Sequence, residues 1–172
     1  METNDKNTLL KERAKRLAQK AFLPEEIKDA RTIVLFSLNN ELYAIDVQQI
    51  RAIQPFRGAT QIPGVSPVVA GVINVSGVIY TVLDLKQIFN LKTDAADGQY
   101  VIVIEHDKLK VCLLIDQIID YRIISEKEIQ TNLTGIKGKQ KSYIQGLLKD
   151  STVLVDVQNI LNAQQPLFNQ SK

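Results

Sequence analysis

The run Val82-Leu83-Asp84-Leu85-Lys86-Gln87-Ile88-Phe89-Asn90 recurs near the C-terminus as Leu154-Val155-Asp156-Val157-Gln158-Asn159-Ile160-Leu161-Asn162. Each copy is an apolar run, an aspartate, and an apolar pair about one helical turn further on, and the aspartates lie 72 positions apart (156 − 84 = 72). Residues 33–50 and 101–118 echo one another in the same way. Both read as strand, polar turn and strand, the first ending Ala44-Ile45-Asp46 and the second Leu114-Ile115-Asp116, with Asp116 displaced 70 positions from Asp46 (116 − 46 = 70). Solenoid repeats run to roughly 20–50 residues, so this spacing is too long for one. One small β unit used twice is the reading that fits.

A chain of 172 residues with 45% hydrophobic side chains has enough apolar surface for one ordinary domain or two small ones sharing a core. The formal net charge of +2 argues against a nucleic-acid-binding domain, which shows a stronger, clustered basic bias. Apolar runs are broken well short of a membrane span, and no apolar leader-like stretch opens the chain. The single cysteine, Cys112, has no internal disulfide partner and fits a reducing, cytoplasmic setting.

Three regions are expected. In residues 1–30, Leu10, Ala14, Leu17, Ala18 and Ala21 fall at helical spacing, while Lys6, Lys11, Arg13, Lys15, Arg16 and Lys20 face Glu12. This predicts a basic amphipathic helix over residues 8–22, closed before Pro24. Its expected role is to pack Leu10 and Leu17 on protein; docking on a partner groove and binding to an anionic surface are the alternatives. From Arg31 the sequence turns to β: residues 32–36, 41–45, 71–75, 78–83, 100–105, 110–115, 143–148 and 152–155 read as strands, with Asn39-Asn40 and 106–108 as turns. Residues 93–98 read as an exposed connection, 132–142 as a mobile loop, and 164–172 as a loose tail. Many short strands with brief helices at their ends predict a mainly β protein of two five-stranded barrels, which closes sheets that would otherwise expose edges. The main domain is expected over residues 31–163.

Catalytic chemistry finds little support. His106 is the only histidine and falls in a charged turn, and no second His or Cys is present to share a metal ion. Cys112 lies in an alternating strand and reads as a small core residue. Asp46, Asp84, Asp116 and Asp156 could be acid–base pairs or hard-cation ligands. Each follows a strand, however, and the spacing of Asp46 to Gln49 and of Asp84 to Gln87 matches a capping box, so helix caps are the expectation for all four. No phosphate-binding glycine loop occurs. The chain reads as a non-enzyme with no cofactor and no metal.

The central pattern Thr60-x-Ile62-Pro63-x3-Pro67-x2-Ala70-Gly71-x-Ile73-Asn74-x2-Gly77-x2-Tyr80-x-Val82-x-Asp84-Leu85-x3-Phe89 resembles the CheW family of chemotaxis coupling proteins. Phe36-x-Leu38, Tyr43-x-Ile45-Asp46, Leu114-Ile115-Asp116 and Tyr143-Ile144-Gln145-Gly146 fit the same family, and the resemblance covers residues 31–163. It implies two intertwined SH3-like barrels around an apolar groove. It also implies a cytoplasmic adaptor that bridges a CheA-type histidine kinase and the tips of methyl-accepting chemoreceptors, meeting the membrane only through the receptors. By that resemblance Ile50, Ala52, Ile53, Gly71, Asn74, Ser76, Gly77, Ile118 and Gly146 are the candidate protein-binding residues. Two positions depart from the family pattern. Ser76 stands where Arg is usual in an Asn-x-Arg-Gly turn, and Ala52 where Glu is common. Losing both members of a charge pair together leaves no orphan charge, so the fold is expected to persist with altered partner contacts. The rival reading is a small-barrel nucleic-acid binder using the basic helix, although such proteins stack bases on exposed aromatics and this chain has no Trp.

Overall fold

In a computed structural model, residues 8–15, 29–93 and 98–168 are described. The chain divides into two units, Met1–Ala30 and Arg31–Lys172. Within the first, residues 8–15 form helix α1, and each of them is exposed. The rest of the helix expected to residue 22 lies outside the described residues, as do residues 94–97 of the expected connection.

The described residues from Ala30 onward form ten strands. In order they are β1 (Ala30–Leu38), β2 (Glu41–Asp46), β3 (Ala52–Pro55), β4 (Val69–Val75), β5 (Val78–Asp84), β6 (Tyr100–His106), β7 (Leu109–Ile115), β8 (Gln117–Ser125), β9 (Ile144–Leu147) and β10 (Val153–Val155). Helix α2 (Leu85–Ile88) follows β5 and helix α3 (Val157–Phe168) follows β10, each at the end of a duplicated run. Two five-stranded sheets result, in the orders β8-β1-β2-β10-β9 (barrel A) and β3-β6-β7-β5-β4 (barrel B).

These two orders become one if β1 is matched with β6, β2 with β7, and so on to β5 with β10. The sequence repeat is therefore a structural repeat, but the repeat unit is not the barrel. Barrel A joins the first hairpin of the first copy to the last three strands of the second, and barrel B is the converse. The strand registers fix the match: Ala44 pairs with Leu35 and Leu154, and Cys112 with Val103 and Val82. Ala44 and Cys112 are thus equivalent, and so are Ile50 and Ile118. Asp116 lies beyond the position equivalent to Asp46, which corrects the pairing expected from the sequence.

This exchange explains why the hairpin strands read as unbroken apolar runs: they are buried on both faces. Ile33, Leu35, Ala44, Ile124, Leu148 and Leu154 fill barrel A. Tyr80, Val82, Val101, Val103, Cys112 and Leu114 fill barrel B. The intervening residues of the same strands, including Val34, Phe36, Ile102, Ile104, Leu83 and Leu113, meet between the barrels, joined by Ile88 of α2 and by Ile160 and Leu161 of α3. Each fully buried large side chain there contributes roughly 1.5–3 kcal/mol. A run of ring contacts crosses the same seam, from Phe36 to Tyr43 at 5.9 Å, Tyr43 to Phe89 at 5.3 Å, and Phe89 to Tyr143 at 6.4 Å.

Both barrels close at equivalent places. Thr60, past β3, bridges to Val72 of β4, and Gln130, past β8, bridges to Leu147 of β9. Next to each bridge stands a glycine. A Cβ on Gly71 would lie 2.5 Å from the Thr60 carbonyl oxygen, and one on Gly146 would lie 2.7 Å from that of Gln130 and 2.4 Å from Ile129 Cγ2. Side-chain-free residues let the closing segment approach.

Some expectations need correction. Strands β3 and β8 were not among those read from the sequence. The tail expected to be loose from residue 164 is helical to Phe168, which packs against the inter-barrel core. The segment expected to be a mobile loop ends in a 3-10 helix, Lys139–Tyr143, and buries Leu133.

Gly146→Ala meets only a space constraint and should cost about 1–3 kcal/mol by urea unfolding. Gly77→Asn, at an open turn position with φ +85°, should change stability by less than about 0.5 kcal/mol.

Candidate protein-binding surface

The four aspartates are held in two different ways. Asp46, Asp84 and Asp156 cap helical turns, with Oδ1 accepting from the backbone N–H of Gln48 at 2.8 Å, Lys86 at 2.9 Å and Asn159 at 3.0 Å. Asp116 does not, because β8 starts directly after it. Its Oδ2 accepts from the Asn39 backbone N–H at 2.8 Å, and its Oδ1 lies 2.7 Å from Lys86 Nζ. Lys86 is almost fully buried, so this ion pair, missed by sequence reading, fastens the β1–β2 turn of barrel A to α2 beside barrel B. Burial pushes the Asp84 carboxyl above its usual value, opposed by the N–H groups it caps.

His106 ends β6, with Asp107 3.6 Å away. Cys112 is fully buried, and burial pushes its thiol up to about 12, the reverse of a reactive thiolate. Among the described residues no group of three or more His, Cys, Asp or Glu side chains is placed to hold a metal ion, and no helix is long and apolar enough to cross a membrane.

The candidate contact residues fall into three places. Ile50 and Ile118, equivalent in the repeat, are each half-buried against the inter-barrel core. On β3, Ala52 pairs with Val103 and packs on the filling of barrel B, whereas Ile53 pairs with Ile102 and is 37% exposed. Asn74, Ser76 and Gly77 form the tip of the β4–β5 hairpin. Val75 pairs with Val78, so Ser76 (φ +51°) and Gly77 (φ +85°) make a two-residue turn of the primed kind. The Asn74 side chain accepts from the Gly77 N–H at 2.8 Å and holds that turn. Gly71 and Gly146 sit at the barrel closures, away from this tip.

An exposed apolar row lies outside the sequence-based expectations. On the outward face of β8, Ile119, Tyr121 and Ile123 alternate with Asp120 and Arg122 and are 50%, 72% and 55% exposed. Arg122 is tied to Asp150 of the β9–β10 turn at 3.0 Å, which holds the strand in place. The sequence signal was the alternation itself, obscured by the paired isoleucines at each end of the strand. On barrel B a concavity lined by Gln54, Phe56, Arg57, Val72, Asn74 and Ile79 lies beside the hairpin. On the same barrel the Tyr80 hydroxyl donates to Glu105 Oε1 at 2.5 Å, and Arg51 pairs with the other Glu105 oxygen. The hydrogen bond holds the Glu105 carboxyl below its usual range and pushes the Tyr80 hydroxyl up.

Residues 32–165 match the family model for the CheW-like domain. The chain belongs to the CheW family. It is 31% identical to the chemotaxis protein CheW of Bacillus subtilis (strain 168), over 85% of this chain and 92% of that protein. The corresponding protein of Treponema pallidum (strain Nichols) is 24% identical over 83% and 89%. The crystal structure of the scaffolding protein TtCheW from Thermoanaerobacter tengcongensis superposes with a TM-score of 0.64 at 26% identity, covering 73% of this chain and 86% of that one. The two SH3-like barrels of this CheW-family chain carry the departures Ala52 and Ser76 at different depths, the first packed on a barrel interior and the second at an exposed tip.

Two pH effects follow. Tyr43 (raised to about 12 by burial) and Cys112 stay protonated in the folded chain at pH values where the unfolded chain ionises. Their contribution to stability is complete below the ordinary Cys value of 9.0 and is lost as pH rises toward 12. Cys112→Ala, which installs the residue found at the equivalent position 44, should flatten the lower part of that decline in chemical denaturation. Asp84 works in acid: its raised folded value means its contribution is present below the ordinary 3.8 and lost as pH rises through the elevated one. Asp84→Asn keeps the capping oxygen, so it should match or exceed the parent in stability at neutral pH, with the difference shrinking below pH 3.8.

Proposed function

We propose that this protein is a non-enzymatic adaptor that couples chemoreceptor cytoplasmic tips to a CheA-type histidine kinase in chemosensory signal transduction, working in the cytoplasm at membrane-associated receptor arrays. The observation that carries the reading is the uncovered Ile119-Tyr121-Ile123 row on a CheW-type double barrel. Contiguous exposed apolar surface on a soluble fold marks a contact site, and aromatic residues with apolar neighbours are the usual anchors. The mechanism is contact alone. One barrel surface takes the kinase, while Ile50 and Ile118, packed on the inter-barrel core, and the exposed Ile53 of β3 take apolar anchors of a receptor helix. Ala52, Gly71, Asn74, Ser76, Gly77 and Gly146 shape the surface around them. With Ser76 and Ala52 in place of charged residues, the partners differ from the typical set.

The test is pull-down of the full chain against purified CheA-type kinases and receptor tips from the same cell. The expected result is capture of at least one kinase and one receptor tip. A Tyr121→Asp, Ile123→Asp variant should unfold at the parent temperature and lose one of these partners by about 30-fold or more. Capture of none of them by the parent would end the reading.

A further inference from the structure

Strand β8 stands at one end of the barrel A sheet, beside β1. The bridge that closes this barrel, Gln130 to Leu147, falls beyond β8 and leaves the strand's own outer edge open. From Ile119 to Ile123 every residue is exposed, on both faces of the strand. We infer that this edge pairs with the same edge of a second copy of the chain, the two β8 strands running antiparallel across a two-fold axis at Tyr121. The inference goes beyond the adaptor reading and does not rest on it.

The backbone points the right way. The Tyr121 N–H donates to Asp120 Oδ1 at 2.8 Å, a local bond to a side chain in place of a neighbouring strand. Backbone N–H groups alternate sides along a strand, so those of Ile119 and Ile123 face the same open side. These three residues supply the hydrogen-bonded positions of a new antiparallel ladder. When it forms, each Tyr121 N–H passes to the Tyr121 carbonyl of the other copy and frees the Asp120 carboxylate.

The side chains are self-complementary in that register. Ile119-Asp120-Tyr121-Arg122-Ile123 sets each Asp120 opposite the Arg122 of the other copy, each Ile119 opposite its Ile123, and Tyr121 opposite Tyr121. The ion pairs occupy the non-hydrogen-bonded positions, where opposing Cα atoms are closest, at about 4.5 Å. Moving the axis to Asp120 or to Arg122 would set like charges opposite one another, so charge selects the register. Arg122 already holds Asp150 at 3.0 Å, and its fork of N–H donors leaves room for a second carboxylate. Edge pairing leaves the outward face of both apolar rows uncovered, which keeps it compatible with the partner contact proposed above.

The experiment is sedimentation velocity of the full chain over a concentration series. The expected result is a reversible monomer–dimer equilibrium. Asp120→Arg and Arg122→Asp each put like charges opposite at both symmetric positions and should each weaken pairing by about tenfold or more. Mixing the two variants restores opposite charges at both positions, so the mixture should dimerise where each variant alone is monomeric. A merely structural role for these residues gives no such rescue. If Arg122→Asp, which gives up Asp150, fails to fold, Asp120→Arg decides alone. The pairing is overturned if the parent stays monomeric, if Asp120→Arg dimerises like the parent, or if the mixture of folded variants stays monomeric. A monomeric parent that still needs Tyr121 to capture a kinase or receptor tip would assign the row to another protein, overturning the pairing while the adaptor reading stands.

Discussion

The seam between the barrels is what the rest of the molecule depends on. Strands β1, β2, β5, β6 and β7 must be covered on both faces, one by their own barrel and one by the other. Ile33 and Leu35 point one way while Val34 and Phe36 point the other, and Val101 and Val103 against Ile102 and Ile104 do the same in the second copy. Neither barrel can satisfy both faces alone. A barrel taken by itself would expose Phe36 or Leu113 to water, a cost of several kcal/mol once the neighbours are counted. The exchange of hairpins between copies adds a covalent reason, because neither barrel is a continuous stretch of chain.

Duplication gives two equivalent frames, and the differences between them supply distinct surfaces. Strand β3 is short, with Ile53 as its one large exposed apolar residue, whereas β8 extends to nine residues and shows Ile119, Tyr121 and Ile123. Barrel B carries the polar Arg51–Glu105–Tyr80 cluster and the Asn74–Gly77 tip. The two barrels thus present two unlike faces. The seam holds them, and the third strands of the two copies make them differ.

The pattern of what was legible in the sequence follows burial. Strands covered on both faces produced apolar runs that could not be mistaken, and the echoing aspartate turns revealed the duplication. The third strands, β3 and β8, escaped notice because they lie at sheet edges, where half or more of their residues face solvent and carry no core pattern. Tyr121 and its neighbours are exposed for the same reason that they are hard to read from the sequence. Asp116 was misread as a cap because its partners, Asn39 and Lys86, are remote in sequence; only the exchanged topology brings them together. The family resemblance points to Gly71 and Gly146 without a physical reason, and the bridges Thr60–Val72 and Gln130–Leu147 supply it.

The buried ion pair and the substituted surface positions show two different constraints on charge. Lys86 is almost fully buried and Asp116 half-buried, so losing the Asp116 carboxylate would cost the Lys86 ammonium a charge partner where little water can replace it. Ala52 and Ser76 are under no such constraint. Ala52 already packs as a small apolar residue on the barrel B interior, and Ser76 needs only to adopt the left-handed conformation that the turn demands. Charge near that barrel resides instead in Arg51 and Glu105, where Tyr80 anchors the carboxylate from within. Charge can therefore change at the exposed tip residue 76 without disturbing the seam or the closures, whereas position 52 answers to the barrel interior it packs on.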